Sequence, residues 1–347
     1  MRMLRQSSRK PGIELFRFVI TICIMLFHFE HLYIGHPVYL GNFYIFVEAF
    51  FALSGFFLAR NASVNRPRVI DYEIKEIKKL YPKYLVAFFI AFAVSIITSN
   101  EPLPIMKIPR LIWAALPEIT LTQMTGLWDS STYNIGGAAA YISVLLVCSP
   151  IIVYLIRDHT KIFVNIVGPC AVVAGYSRIL YLNGNLSQWN AYDGFVTMGV
   201  IRGMAGISLG ALGYLVLVKK IEKIKKERKS LLLVALCMFS SLLFLNLAPV
   251  RLIIFPFVFT LFLSLLYCVD KNDCGRGEIS KRNKIYLFLG SLSYDIFLLH
   301  TSVIILFRHF TRGQFSVIIF IMWIMAELIL AFVFNSLFGW FAMRRKR

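Results

Sequence analysis

The chain has 347 residues, 58% of them hydrophobic and 15% aromatic, and its mean hydropathy of +0.71 excludes an ordinary soluble domain. A formal net charge of +19 would suit a nucleic-acid binder. The Lys and Arg residues instead fall in short clusters between apolar runs with no basic domain beside them, so the expected partner is membrane lipid and no nucleic acid is expected.

A lipid-facing segment has to satisfy its own backbone polar groups, so apolar runs of about twenty residues read as helices. They fall near 15–34, 44–60, 83–99, 139–156, 162–180, 195–218, 230–247, 250–269, 286–307 and 316–340. The expected fold is all-α, a single polytopic membrane domain over 1–347 with about ten transmembrane helices. Segments 1–17, 60–83, 157–161, 219–229, 270–285 and 344–347 hold 30 of the 37 Lys and Arg residues. The alternate connections hold Lys107, Arg110, Arg251, Arg308 and Arg312, and the positive-inside rule then places both termini in the cytoplasm. The first run keeps Arg17 and His28 with no small-residue cleavage site after it, so it is expected to remain as helix one. Cys23, Cys148, Cys170, Cys237, Cys268 and Cys274 lack the paired spacing of a zinc or redox site. Free thiols are expected, and no metal is implied. The connection 100–138 carries Pro102, Pro104, Pro109, Pro117, Trp113 and Trp128. Two readings of it stay open: a segment dipping back into the membrane as a lid or acceptor platform, and a plain interfacial anchor.

An ionisable group inside a membrane helix costs about 2.5–3.5 kcal/mol near the centre on insertion scales, so the few present are default candidates for function. Arg17 and His28 stand eleven residues apart, which leaves them about 20° apart around the helix and roughly 16 Å apart in height. A charged donor arriving from the cytoplasm would meet Arg17 first and a base, His28, deeper. The alternative is a snorkelling anchor and a histidine satisfied by a neighbouring helix. Ser293 and His300, seven residues apart, share one face. His28 and His300 come to similar depths, about 21–23 Å along their helices, and are candidates to line one cavity; a packing role is the alternative for His300. Glu48, the only charge in helix two, should face protein or water, while Ser54 and Gly55 form a small step for close packing. Phe50, Phe51, Phe56 and Phe57 read as lipid or core contacts. Arg202, among Gly203, Gly206 and Gly210, has three candidate partners: a phosphate, Glu48 or Glu327.

Four segments fall in order along the chain: Arg17 to His28 with ten residues between; Glu48, Phe50, Phe51, Ser54, Gly55 and Phe56; LTQMTGL, YN and YIS within Leu121 to Ser143; and SYDIFLLH with Ser293, Tyr294 and His300. Together they resemble the bacterial acyltransferase 3 membrane family, which moves acyl groups onto extracytoplasmic sugars. The resemblance implies an O-acyltransferase of the bacterial cytoplasmic (inner) membrane. It would carry an acyl group, acetyl above all, from cytoplasmic acetyl-CoA to a hydroxyl of a cell-surface or lipid-linked glycan. Acetyl-CoA would be the acyl donor, with no permanently bound cofactor. The implied catalytic residues are His28, Arg17, Glu48 and His300; the donor would meet Arg17, Lys75, Lys78, Lys79 and Arg202; Ser54, Ser293 and Tyr294 would line the substrate pocket. Two departures mark a divergent subgroup. Where the family has two arginines spaced three apart before the Tyr-Pro of helix three, this chain has Glu76 and Lys79, flanked by Lys75 and Lys78; charge survives and bidentate geometry does not. The family's Trp and Glu near helix four are Ala140 and Leu145 here. The rival class is a transporter or flippase for a glycan or lipid-linked precursor, which needs the same intramembrane Arg, His and Glu and has no reason to consume acetyl-CoA.

Overall fold

The structure is a computed structural model that describes residues 10–35, 39–99, 108–128, 137–224, 230–233, 236, 249–273 and 280–344. Among them, nine helices are long and apolar enough to cross a membrane, and the protein is an all-α polytopic membrane protein. In chain order the helices are α1 Pro11–Ile34, α2 Gly41–Val64, α3 Val69–Ile97, α4 Ile108–Ile119, α5 Gly137–Asp158, α6 Thr160–Asn183, α7 Met198–Lys223, α8 Ile254–Asp273, α9 Lys281–Phe310 and α10 Val317–Arg344. The short α4 does not span. A two-residue antiparallel hairpin, β1 Tyr192–Asp193 and β2 Val196–Thr197, precedes α7. The helix expected near 230–247 lies largely outside the described residues, as do Cys237 and Cys274.

Local chemistry sets the helix ends. α1 starts on Pro11, whose missing N–H is one that a first turn leaves unbonded anyway. It finishes in a π turn over Glu30–Ile34 and at Gly35, whose φ of 92° favours glycine. The buried Glu30 carboxylate then accepts the amides of Tyr39 at 2.6 Å and Leu40 at 2.7 Å, which ties down the turn into α2. α3 begins at Val69 and not near residue 83 as hydropathy suggested. Its first turns alternate acidic and basic residues, such as Glu76 paired with Lys79 at 2.8 Å, and a hydropathy window sees only the apolar half of such a rod.

Helix packing fixes the levels. α1 and α9 run side by side in the same direction, with Glu14 against Gly290, His28 beside His300, and the Tyr33 hydroxyl on Thr311. α10 returns antiparallel to α9, so Asn335 sits level with Ser291 and Asp295. α2 and α7 touch backbone to backbone. A Cβ on Gly55 would fall on the Ile207 carbonyl, and one on Gly210 on the Ala52 carbonyl; only glycine permits this approach. α7 and α8 also run in one direction, since Gly213 meets Thr260 and Cys268 meets the Val218 carbonyl. The face that carries the starts of α1, α3 and α9, with Lys75, Lys78, Lys79, Lys281, Arg282 and Lys284, is the basic face.

The connection between α3 and α5 enters the bundle. Tyr81 and Tyr84 donate to the carbonyls of Ile119 at 2.9 Å and Glu118 at 2.6 Å, and Tyr84 stands about 22 Å along α3 from Val69. Below that point Ser143 accepts the Met124 amide at 3.2 Å, and Thr197 donates to the Met124 carbonyl at 3.1 Å. Residues 118–124 are thus gripped by α3, α5 and β2, while the Trp113 ring stays exposed beside Trp128.

Candidate active site

A cavity of about 550 Å³ opens toward the basic face between α1, α2, α3, α5, α9 and α10. Helical spacing explains its charge. Glu76, Lys79, Leu80 and Lys83 recur at three- and four-residue steps, so one stripe of α3 faces the cavity. Lys75 and Lys78 fall off that stripe and stay exposed. Arg17 lines the cavity from α1, partly exposed, with its guanidinium 3.2 Å from Glu14. Lys83 bonds both oxygens of the buried Asp295 at 2.6 and 2.7 Å, and Asn335 holds the same carboxylate at 2.6 Å. Tyr294 lines the wall and donates to the Leu80 carbonyl at 3.0 Å. Ser293 also lines it, and its buried hydroxyl has no partner among the described residues. Ser54 is spoken for: it lies 2.6 Å from the Tyr141 hydroxyl, which donates onward to the Phe50 carbonyl at 3.1 Å.

Beyond the cavity lies a pair of histidines. The rings of His28 and His300 are 5.1 Å apart, on two parallel helices that stay packed past this level. His300 is 2% exposed, whereas His28 keeps part of its surface open. His300 Nδ1 is 3.0 Å from the Phe297 carbonyl and 3.2 Å from the Ile296 carbonyl. A carbonyl only accepts, so Nδ1 carries the proton and Nε2 keeps its lone pair. Thr301 Oγ1 lies 3.3 Å from that nitrogen. His31, one turn past His28, is stacked on Phe27 at 5.9 Å.

Glu48 and Arg202 form a separate, wholly buried pair, both 0% exposed. Arg202 Nε donates to Glu48 Oε1, Tyr176 donates to Glu48 Oε2 at 2.5 Å, and Arg202 Nη2 reaches the Tyr44 carbonyl at 3.2 Å. The guanidinium also sits 4.7 Å over the Trp189 ring. α2, α6 and α7 are joined at this point, and neither charged residue lines the cavity.

A cavity lined by Arg17, Lys79 and Lys83, a histidine pair beyond it and a membrane-spanning bundle thus lie along one pair of parallel helices. The family model described as an acyltransferase domain, that of the acyltransferase 3 family, matches residues 10–342. The chain belongs to that family. No curated protein and no solved structure matches it.

The acyltransferase therefore gathers Arg17, Lys79, Ser54, Ser293 and Tyr294 around one cavity, and His28 with His300 one level beyond. Lys75 and Lys78 stand on the outside of α3. Of the three partners open to Arg202, Glu48 is the one it takes. Glu327 is fully buried, with no partner for its carboxyl among the described residues. Sequence reasoning passed over Lys83, Asp295 and Asn335. The signals were present: Lys83 continues the Glu76–Lys79 stripe by one turn, and Asp295 is the single acid inside the apolar part of α9. It also assigned Phe50 no role, although that ring closes the cavity together with Tyr141 and Phe297.

Proposed function

We propose that this acyltransferase takes an acyl group, acetyl first, from acetyl-CoA on the basic face and delivers it to a hydroxyl of a cell-surface or lipid-linked glycan reached from the opposite face. The excess of Lys and Arg on that face supports its being cytoplasmic, in a bacterial inner membrane. One observation carries the reading. Arg17 and His28 share α1, Ser293 and His300 share α9, and the two helices are parallel, so a cavity lined by ion-paired basic residues and a histidine pair lie in line.

Arg17, Lys79 and Lys83 line the cavity, each in an ion pair with Glu14, Glu76 or Asp295, and the donor's phosphates compete with those carboxylates for them. The thin pantetheine arm runs along α1 and α9 toward His28. His28 takes the proton of the acceptor hydroxyl as its oxygen attacks the thioester carbonyl. The C–S bond then breaks, and the proton passes to the leaving thiolate. His300 keeps its Nε2 lone pair turned from its own backbone, where the Thr301 hydroxyl lies 3.3 Å away, and exchanging that hydroxyl for a protonated His28 lets it receive a hydrogen bond from the base. No covalent acyl-enzyme is needed. Glu48 and Arg202 act through position, since they hold the part of α2 that carries Phe50 and Ser54 against α7. On the acceptor side, both amide atoms of the buried Gln123, in the segment that enters the bundle, are unpartnered among the described residues and available to a sugar hydroxyl.

The test is acylation of membrane glycan by purified wild type, His28→Ala and His28→Gln, with acetyl-CoA consumption followed alongside. Loss of a general base lowers the rate by about 10²–10⁴-fold, and Gln does not rescue it because an amide takes no proton at neutral pH. Near-normal acylation by His28→Gln ends the base assignment. A wild type that binds glycan without consuming acetyl-CoA supports a flippase.

A further inference from the structure

The cavity ends on aromatic rings, and the end is the same on every helix that reaches it. Along α9 the lining residues run Gly290, Ser291, Ser293, Tyr294 and Phe297, with His300 one turn farther on and outside the lining. α2 and α5 run the other way, so their residues farthest from the basic face are the lowest-numbered in the lining, Phe50 and Tyr141. Three helices thus each contribute an aromatic ring at the same inner limit. The rings pack on one another, with centroids 5.4 Å apart for Phe50 and Phe297, 5.6 Å for Tyr141 and Phe297, and 5.9 Å for Phe50 and Tyr141. Phe297 is also 6.2 Å from the His300 ring.

The three rings are not held alike. Tyr141 is pinned through its hydroxyl to Ser54 and to the Phe50 carbonyl. Phe50 and Phe297 have no polar group on their rings and are held by packing alone, so a side-chain rotamer change at either one opens the layer. The Phe297 backbone carbonyl also receives the His300 Nδ1 proton at 3.0 Å, so one of the two movable rings stands on the residue that orients the histidine. A donor arm entering from the basic face meets these rings with its acyl end.

We propose that Phe50, Tyr141 and Phe297 form the acyl-group selector of this enzyme, admitting a short unbranched acyl thioester to His28 and His300 and rejecting longer ones. This rests on the reading of an acyl-CoA donor given above. The rings are selectivity residues: they touch the acyl chain and leave the proton transfers to the histidines. Steric selection against one added methylene is typically worth about 10–200-fold in kcat/KM, and removal of a ring relieves it.

The experiment compares kcat/KM for acetyl-, propionyl-, butyryl- and hexanoyl-CoA with the purified full-length enzyme in lipid nanodiscs, with CoA release measured by chromatography. The variants are Phe297→Ala, Phe297→Leu and Phe50→Leu, with Phe332→Leu as a control, a half-exposed ring that packs on Phe288 and does not line the cavity. The expected result is a wild type that prefers acetyl-CoA and a butyryl-to-acetyl ratio that rises about tenfold or more in the Phe297 variants, with the control unmoved. The ratio separates selection from lost stability, because a damaged protein loses both rates together. If Phe297→Ala is not monodisperse, the two leucine variants carry the same comparison. A wild type that consumes acyl-CoA while every ring variant keeps its ratio overturns the selector alone. A wild type that consumes no acyl-CoA overturns both the selector and the donor reading.

Discussion

Removing one partner of the Glu48–Arg202 pair should unfold this protein far more readily than removing both. The two side chains are 0% exposed and have no water to fall back on. Breaking a buried pair by deleting one member costs about 3–5 kcal/mol, whereas replacing both by apolar groups of similar volume is often neutral or better. The two single variants should also differ. Glu48→Leu leaves a guanidinium that cannot lose its proton, with only the Tyr44 carbonyl and the Trp189 ring for company. Arg202→Met leaves a carboxyl that can become neutral by taking a proton and that still receives the Tyr176 hydroxyl. The expected order of stability is therefore the double variant Glu48→Leu/Arg202→Met, then Arg202→Met, then Glu48→Leu. With about 2 °C of midpoint per kcal/mol for a large chain, Glu48→Leu should melt about 6–10 °C below wild type. The assay is thermal unfolding of detergent-purified protein read by size-exclusion chromatography, with glycan acylation measured on the same samples. A double variant no more stable than Glu48→Leu refutes the reasoning, and a stable double variant that fails to acylate shows that the pair does more than hold the fold.

Two further outcomes follow from the packing and the surface charge. Gly210→Ala places a Cβ on the Ala52 carbonyl, a backbone atom that cannot swing aside. Overpacking typically costs about 1–3 kcal/mol, so folded protein in membranes should fall sharply, while Gly339→Ala, which meets nothing within 4 Å, should express as wild type. Near the hairpin, the Arg178 hydrogen bond and charge hold the Asp193 carboxyl below its ordinary value. A lowered folded value contributes stability above the ordinary carboxylate value of about 3.9 and loses it as the pH falls through the folded one. Asp193→Asn should therefore melt below wild type at pH 7, and the gap should close only under about pH 4; a gap that closes between pH 7 and 5 contradicts the pairing.

How much of this was legible in the sequence depends on range. Helices α1, α2 and α5 to α10 follow from runs of apolar residues, because a lipid-facing backbone has one way to satisfy itself. The Arg17–His28 spacing gave two levels on one helix face, and the depth count placed His300 opposite His28; the rings indeed lie side by side. What failed to show was which of several distant partners a given side chain takes. Arg202 had Glu48 and Glu327 as equal candidates until the glycines of α7 brought it against α2. Lys83 read as one more basic residue near a membrane surface, since nothing local marks Asp295, 212 positions away, as its partner. Phe50 and Phe297 looked like any other aromatic of an apolar helix. The selector role proposed for them depends on three helices ending a cavity at one level, a property that no single helix carries.

The closed ring layer also bears on why an enzyme reading fits this architecture better than a transport one. A flippase has to pass a sugar, and a sugar needs hydroxyl partners along its whole route, because each unsatisfied polar group in an apolar environment is costly. Here the cavity stops at three packed rings with centroids 5.4 to 5.9 Å apart, and α1 and α9 remain in contact past the histidines to Tyr33 and Thr311. Opening that seam wide enough for a sugar would separate two helices that touch along their length. A thioester arm asks for much less. In the proposed reaction its apolar, thin acyl end would pass a displaced Phe297 while the donor's phosphates stayed near Arg17, Lys79 and Lys83, and the acceptor would meet the acyl carbonyl from the opposite side at His28. Each substrate would then travel only part of the way, and the acyl group alone would cross the membrane.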